Sequence, residues 1–380
     1  MNPARAPRER RSDARLLAVD AASGRHADLQ VEDLPSLLRP GDLLVVNDAA
    51  TLPASLHGRV AGGGGAGAAV ELRLAGAAAE SEAAAGATAE APAPETEDTF
   101  WAVLFGAGDW RTPTEQRPAP PVLAVGDEIA LFGALRAAVL AVSPISPRLV
   151  LIRFSLRGAA LWAALYAQGK PIQYSYLRQE VALWSVQTVY AGRPWAVELP
   201  SAGRPLSWEI LTRLRRAGVE LAWVTHAAGL SSTGEPALDA ALPLPERYEI
   251  PDTTALLIER TRRRGGRVIA VGTTVVRALE GAARAAETSG GAPGLRLARR
   301  GVTDLVLCPD SRLRVVDGIL TGIHSPGESH FQLLAAFCPL DLLRQSWEHA
   351  ARTGYLCHEF GDLSLIAPKL APELGYLPAR

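Results

Sequence analysis

The hydrophobic pattern changes period twice along this chain, and that switch constrains the fold more than any single residue. From Leu156 onward, segments with helical spacing alternate with short apolar runs. LRGAALWAALYAQG reads as a helix ending at Gly169. LSWEILTRLRRAG reads as another, with Ser207 as N-cap and Gly218 as its stop. VELAWVTH is a strand, TTALLIERTRRRGG a helix, RVIAVGTT a strand and turn, and VVRALEGAARAA a helix. DLVLCP and RVVDGILTGIH read as strands, and ESHFQLLAAFC and LDLLRQSWEHAARTG as closing helices. The beginning has the same character: RLLAVD is a strand, DLPSLLRPGD a short helix or turn, and DLLVVND a buried strand. Residues 52–152 differ. Six short alternating segments (ASLHGRV, AVELRLA, FWAVLF, DEIALFG, LRAAVLAV and LVLIRF) are separated by Gly and Pro, the spacing of a small antiparallel barrel or sandwich.

The economical arrangement is α/β: a mixed-sheet domain built from residues 15–51 and 153–366, with the β-rich domain of residues 52–152 inserted. Residues 1–14 read as a flexible arm and 367–380 as a C-terminal tail. Residues 76–98, made of little but Ala, Glu, Gly, Thr and Pro, read as a disordered loop between two strands.

Forty acids against 39 Lys and Arg leave a net charge of -1, which argues against coating nucleic acid by bulk charge but permits a local basic face. Three widely spaced cysteines cannot make a disulfide scaffold and suggest a reducing compartment. No apolar run reaches the roughly 18 residues of a spanning helix, and the arm has no apolar stretch behind it to form a secretory signal. A cytoplasmic monomer is expected.

Four predicted strands end in polar residues: Asn47 and Asp48, Thr225 and His226, Gly272 with Thr273 and Thr274, and His324. In an open α/β sheet such ends face one crevice when their strands run the same way. The turn VGTTVVR offers free N–H groups and a helix dipole to an anion, although an ordinary Thr N-cap would have the same residues. In HSPGESHFQLL, Ser325 is a candidate N-cap, Pro326 the first helical residue and Glu328 its capping-box partner, which leaves His324 free for chemistry. Cys308, His324, His330, Cys338, Cys357 and His358 lie late in the chain but lack the close spacing of a zinc site, so no metal is expected. GGGGAG is not followed by a helix, and there is no P-loop or GxSxG elbow. The densest basic stretch holds Arg260, Arg262, Arg263, Arg264 and Arg267 at a helix end. It reads equally as a solvated terminus or a phosphate contact.

PGDLLVVND, VQTVYA, LPSAG, RVIAVGTTVVRALE, TDLVLCP, VVDGILTGIHSP and YLCHEFGDLSLI, in that order, resemble the S-adenosylmethionine:tRNA ribosyltransferase-isomerase family of queuosine biosynthesis, from about Arg15 to Ile366. The resemblance implies an α/β domain carrying an inserted six-stranded barrel. It also implies a reaction in which the ribosyl part of S-adenosylmethionine is attached to a 7-aminomethyl-7-deazaguanine base in tRNA. Epoxyqueuosine forms, and adenine and methionine leave. S-adenosylmethionine is then a substrate, tRNA a partner, and no cofactor is implied. The chemistry needs a base, because a sulfonium acidifies the carbon beside it, and an acid for the departing adenine. The candidates are His226 or His324 for proton transfer, Asp48 and Glu246 for hydrogen bonds to substrate, and Arg277 with the Thr273–Thr274 helix start for anionic groups. Asn47 and Gly272 line the same pocket, Gln187 and Tyr190 serve as wall or base contacts, and Arg262, Arg263 and Arg264 contact RNA.

The sequence departs from the family pattern mainly at polar positions. NDAATLPAS stands for NDTRVIPAR, replacing two arginines with Ala50 and Ser55. LPSAGRPLS puts Pro205 where a histidine is usual, and THAAGLSST moves the histidine of TLHVGLGTF one place earlier, to His226. PLPE keeps only Glu246 of a Met-His-Ser-Glu stretch, and Gly322 and Gly327 stand for Asn and Lys. Three readings follow: the ribosyltransferase-isomerase with a rebuilt pocket, a paralogue acting on another nucleoside or RNA, and a catalytically silent RNA-binding relative.

Overall fold

The structure, a computed structural model, describes residues 1–62, 65–77, 98–288 and 296–370. Strands β1 (Arg15–Asp20), β2 (Arg25–Gln30) and β3 (Leu43–Asn47) precede the insert. The insert contributes β4 (Ser55–Val60), β5 (Ala69–Ala77), β6 (Thr99–Phe105), β7 (Glu128–Ala130), β8 (Arg136–Val142) and β9 (Leu149–Phe154). After it come β10 (Glu220–His226), β11 (Glu246–Glu249), β12 (Val268–Val271), β13 (Arg300–Thr303), β14 (Gly318–Gly322) and β15 (Leu363–Ala367). The helices that matter here are α1 (Gly158–Gln168), α2 (Trp208–Arg216), α3 (Asp252–Arg263), α4 (Thr273–Thr288), α5 (Ser329–Leu334) and α6 (Leu340–Arg352).

Among the described residues, nine strands form one mixed sheet in the order β13-β11-β10-β3-β12-β14-β15-β1-β2. Its centre, β10-β3-β12-β14, is wholly parallel, with Val224 opposite Asn47, Val268 opposite Leu43 and Val271 opposite Leu320. The continuous apolar runs explain why. Every residue of β3 and β12 is buried, so both faces must be covered, and strand alternation divides them. Leu43, Val45, Val268 and Ala270 pack into one core with Val275, Val276 and Leu279 of α4. Leu44, Val46, Ile269 and Val271 pack into the other with Ile210, Leu211 and Leu214 of α2. The Ser207 hydroxyl accepts from the Ile210 N–H at 3.2 Å and caps α2 as expected.

The insert closes into a six-stranded barrel, β8-β9-β6-β5-β4-β7, as expected. Leu56, Leu72, Leu104, Ile129, Val139 and Ile152 share its core. A charged group is buried with them: the Glu71 carboxylate accepts from Arg73 at 2.8 Å, from Arg117 at 2.6 Å and from the Ser55 hydroxyl at 2.7 Å. Ser55, one of the departures from the family pattern, therefore serves a carboxylate that two other arginines neutralise.

Several expectations are corrected. The arm of residues 1–14 is packed down: Asn2 and Pro3 pair in parallel with Leu356 and Cys357, Ala4 is buried, and the Arg5 carbonyl accepts from Arg178 N. DLVLCP forms no strand. Its backbone bonds go to side chains instead, Leu305 O accepting from Arg277 at 3.1 Å and Leu305 N donating to Thr303 Oγ1 at 3.2 Å. RVVDGILTGIH pairs only over β14. The capping box at Ser325 does not form. Ser325 O and Glu328 N close a turn at 3.1 Å, α5 starts at Ser329, and the Glu328 side chain faces His324. Gly76 and Ala77 belong to β5 rather than to a loop, and residues 78–97 lie outside the described residues. Ala367 ends β15 and Leu370 is buried, while residues 371–380 of the expected tail also lie outside them.

Candidate active site at the carboxyl edge of the sheet

Because β10, β3, β12 and β14 run parallel, their carboxyl ends lie side by side: His226, Asn47, Val271 before Gly272, and Gly322 before His324. Asn47 stitches these ends together. Its Nδ2 donates to His226 O at 3.0 Å and to Thr274 Oγ1 at 3.4 Å, and its Oδ1 accepts from His226 N at 2.9 Å and Ala49 N at 3.1 Å. Gly272, at φ +91°, makes the left-handed turn from β12 into α4, so the first N–H groups of that helix, from Thr273 onward, open on this edge.

A buried charged group lies beneath the edge. Glu246 accepts from the Arg277 guanidinium and from Gly229 N at 2.6 Å. Arg277 also holds Leu305 O at 3.1 Å and Thr303 O at 3.5 Å, so its charge is committed to Glu246 and the backbone rather than offered to an open cleft. Burial raises the Glu246 carboxyl above its usual range despite that guanidinium. His226 Nε2 stands 3.3 Å from Glu246 Oε2, yet neither ring nitrogen makes a hydrogen bond. Burial, and then the Arg277 charge, hold its pKa well below 6.5, so the ring is neutral. Fully buried, His226 is a support for this group.

Asp48 is half-buried. Its carboxylate accepts from Thr225 Oγ1 at 2.6 Å, and burial raises its pKa. Tyr190 is close enough that the Asp48 charge, after burial, raises the phenol's pKa too. The Tyr190 hydroxyl reaches over Gly203, where an added Cβ would come within 2.1 Å of it and force the phenol to shift. Gln187 does not face a ligand with its amide: Nε2 donates to Thr51 O at 2.8 Å and Oε1 accepts from Thr51 N at 2.9 Å, so it pins the chain after β3.

His324 is partly exposed. Nε2 is 3.0 Å from Thr321 Oγ1, Nδ1 is 3.5 Å from Glu328 Oε2, and its ring is 4.7 Å from that of His330. Burial pushes Glu328 up, but the His324 hydrogen bond and charge outweigh it, and the carboxyl ends below its usual range. His330 is pushed down to about 3 by burial and by His324, so it stays neutral. Among the described residues no three His, Cys, Asp or Glu side chains are placed to share a metal ion. Arg262, Arg263 and Arg264 are elsewhere. They end α3, which runs back to the amino ends of the strands, and Arg262 donates to Val315 O at 2.8 Å. They stand on the sheet edge opposite the site.

Beside the edge, a shallow cleft with room for about one water is lined by Thr51, Ile172, Glu198, Leu199, Glu359 and Phe360, among others. Sequence reading missed these residues. Tyr174 and Tyr176 stack on each other and His358 stacks on Tyr176 with centroids 4.4 Å apart. The two hydroxyls donate to Glu198 and Glu359. These side chains come from irregular segments, where no periodicity marks them. The signal available was the unusual local density of Tyr in PIQYSYL and of His and Glu in CHEF. Burial pushes Glu359 up to about 7. An acid raised in the fold above its unfolded value is held protonated while the unfolded chain ionises, so stability falls as pH rises from about 4.5 to about 7. Glu359→Gln is therefore expected to raise the melting temperature at about pH 8 more than at about pH 5, measured by thermal scans at both.

An inserted barrel on a mixed sheet, with the carboxyl ends of four parallel strands gathered on one edge, places the protein in the α/β class whose sites lie at that edge. The family model of the queuosine biosynthesis protein matches residues 2–366, and the chain belongs to that family. An S-adenosylmethionine:tRNA ribosyltransferase-isomerase of Gloeobacter violaceus is 36% identical over 96% of this chain and 92% of its own. The protein of that name from Thermus thermophilus is 34% identical over 94% of both chains. A crystal structure of an S-adenosylmethionine tRNA ribosyltransferase from Thermotoga maritima is 22% identical over 96% of both chains, with a TM-score of 0.47.

Proposed function

We propose that this chain is an S-adenosylmethionine:tRNA ribosyltransferase-isomerase, which transfers and isomerises the ribosyl group of S-adenosylmethionine onto 7-aminomethyl-7-deazaguanine in tRNA and releases adenine and methionine. The observation that carries the reading is the extent of the match: relatives of that name align over nearly the whole chain, through all four strand ends that build the site. S-adenosylmethionine enters as substrate, and the reaction so read calls for no further cofactor. No described helix is long and apolar enough to cross a membrane, and a cytoplasmic monomer suits work on tRNA.

In this reading His324, aligned by Thr321 and Glu328, takes the proton from the carbon beside the sulfonium. Asp48, half-buried at the end of β3, is placed for a hydrogen bond to substrate, with Tyr190 as a wall of that pocket. The N–H groups that open α4 take the carboxylate of the methionine portion. Glu246, Arg277, His226 and Asn47 hold the edge that positions them. The test is chromatographic: adenine is expected to appear from S-adenosylmethionine only when tRNA carrying the aminomethyl base is present. No adenine release on that tRNA would leave the paralogue and the silent relative, and S-adenosylmethionine binding without turnover, with salt-sensitive tRNA binding, would favour the silent one.

A further inference from the structure

The RNA contact expected at Arg262, Arg263 and Arg264 faces away from the site, which leaves open where tRNA is held. Trp184 is 76% exposed, an unusual position for the largest side chain. It sits on the 3₁₀ turn Leu183–Val186, whose next residues are tied down. Val186 is buried and its carbonyl accepts from Thr51 Oγ1 at 2.6 Å, and Gln187 is locked onto Thr51. The indole is thus presented on a fixed platform.

Two guanidiniums grip that platform. Arg11 donates to Gln187 O at 2.6 Å and Trp184 O at 3.3 Å, and Arg204 donates through Nε to Ser185 O at 2.8 Å. Neither has a carboxylate partner among the described residues. Arg8, the third cation of the group, pairs with Asp362. The three are near enough that Arg11 and Arg8 add to burial in pulling Arg204 down to about 10. Capping the turn's carbonyls would explain the hydrogen bonds but not the charge, since a neutral amide caps without mutual repulsion. Arg204 lies over the Phe360 ring at 4.8 Å, and Phe360 and Val186 line the cleft.

We propose that Trp184 with Arg11 is the surface that docks a single-stranded segment of RNA, one base stacked on the exposed indole and a flanking phosphate on the Arg11 guanidinium, while Arg204, itself buried, holds the platform from beneath. The inference rests on the tRNA reading above and adds the residues that hold the loop. Exposed aromatic area beside a guanidinium with no carboxylate partner is the chemistry that binds unpaired nucleotides.

The test is binding of a tRNA transcript to the whole protein by fluorescence anisotropy over a range of salt. Trp184→Ala is expected to weaken binding about ten-fold or more. Arg11→Gln should lower the slope of log affinity against log salt by close to one contact's worth, about 0.7. Melting temperatures show whether each variant folds; Trp184, being exposed, keeps the test sound if Arg11→Gln does not. Wild-type binding with unchanged affinity in Trp184→Ala would overturn this surface and leave the tRNA reading standing. No binding of tRNA by the wild type would overturn both.

Discussion

Glu71→Gln is expected to destabilise the protein by about 3–5 kcal/mol near neutral pH, because it removes the one negative charge between two buried guanidiniums. The Arg73 and Arg117 side chains are 0% and 1% exposed, so water cannot take over from the carboxylate. Arg117 keeps the carbonyls of Gly106 and Gly108, at 2.6 and 3.0 Å, while Arg73 keeps one 3.4 Å hydrogen bond, to Gln173 O, and its place over the Phe105 and Tyr174 rings. The loss should therefore appear first in the barrel. The same group fixes a pH dependence. Burial raises the Glu71 carboxyl, but the two guanidiniums more than reverse this and bring it down from 4.5 to about 2. A depressed acid contributes stability above its unfolded value and loses it as pH falls through its folded value, so the wild type should lose about 3 kcal/mol between about pH 4.5 and 2. The Gln variant should lose that much less over the window, its remaining slope coming from other carboxyls the fold holds low, such as Glu328 and Asp28. Urea unfolding at several pH values measures both effects; a variant as stable as the wild type at neutral pH would show that the ion triad does not hold the barrel.

His324→Ala should reduce turnover about 10²–10⁴-fold, the range for losing a positioned general base. The side chain is 19% exposed and its bonds are to Thr321 and Glu328, so stability should change by only about 1 kcal/mol. Adenine release under saturating substrate separates the two effects. Turnover at the wild-type rate would move the base elsewhere, to Asp48 or to the Glu198 and Glu359 cleft.

The elements were legible because packing imposes periods. β12 is apolar throughout, and β3 up to its final Asn47, because both faces are covered, whereas barrel strands such as β4 and β9 mix buried and exposed positions because part of their outer face meets solvent. Ser207 caps α2 through a bond between neighbours, so its sequence signature suffices. The capping box at Ser325 failed although its rival is just as local: Glu328 turns to His324, an i,i+4 neighbour that the capping signature does not weigh. The arm was misread because its partners, Leu356, Cys357, Arg178 and Gln187, lie about half a chain or more away.

By itself, the sequence determined the α/β class, the inserted barrel, the family, and the polar residues at four strand ends. All of these are written in local pattern or in ordered motifs. The tertiary structure alone decided that those four ends lie on one edge and that Arg277 is spent on Glu246. It alone turned the arginines of α3 away and set Arg11, Trp184 and Arg204 beside the cleft. Each of these is a contact between segments far apart in the chain, set by strand order and direction, and no local spacing encodes them.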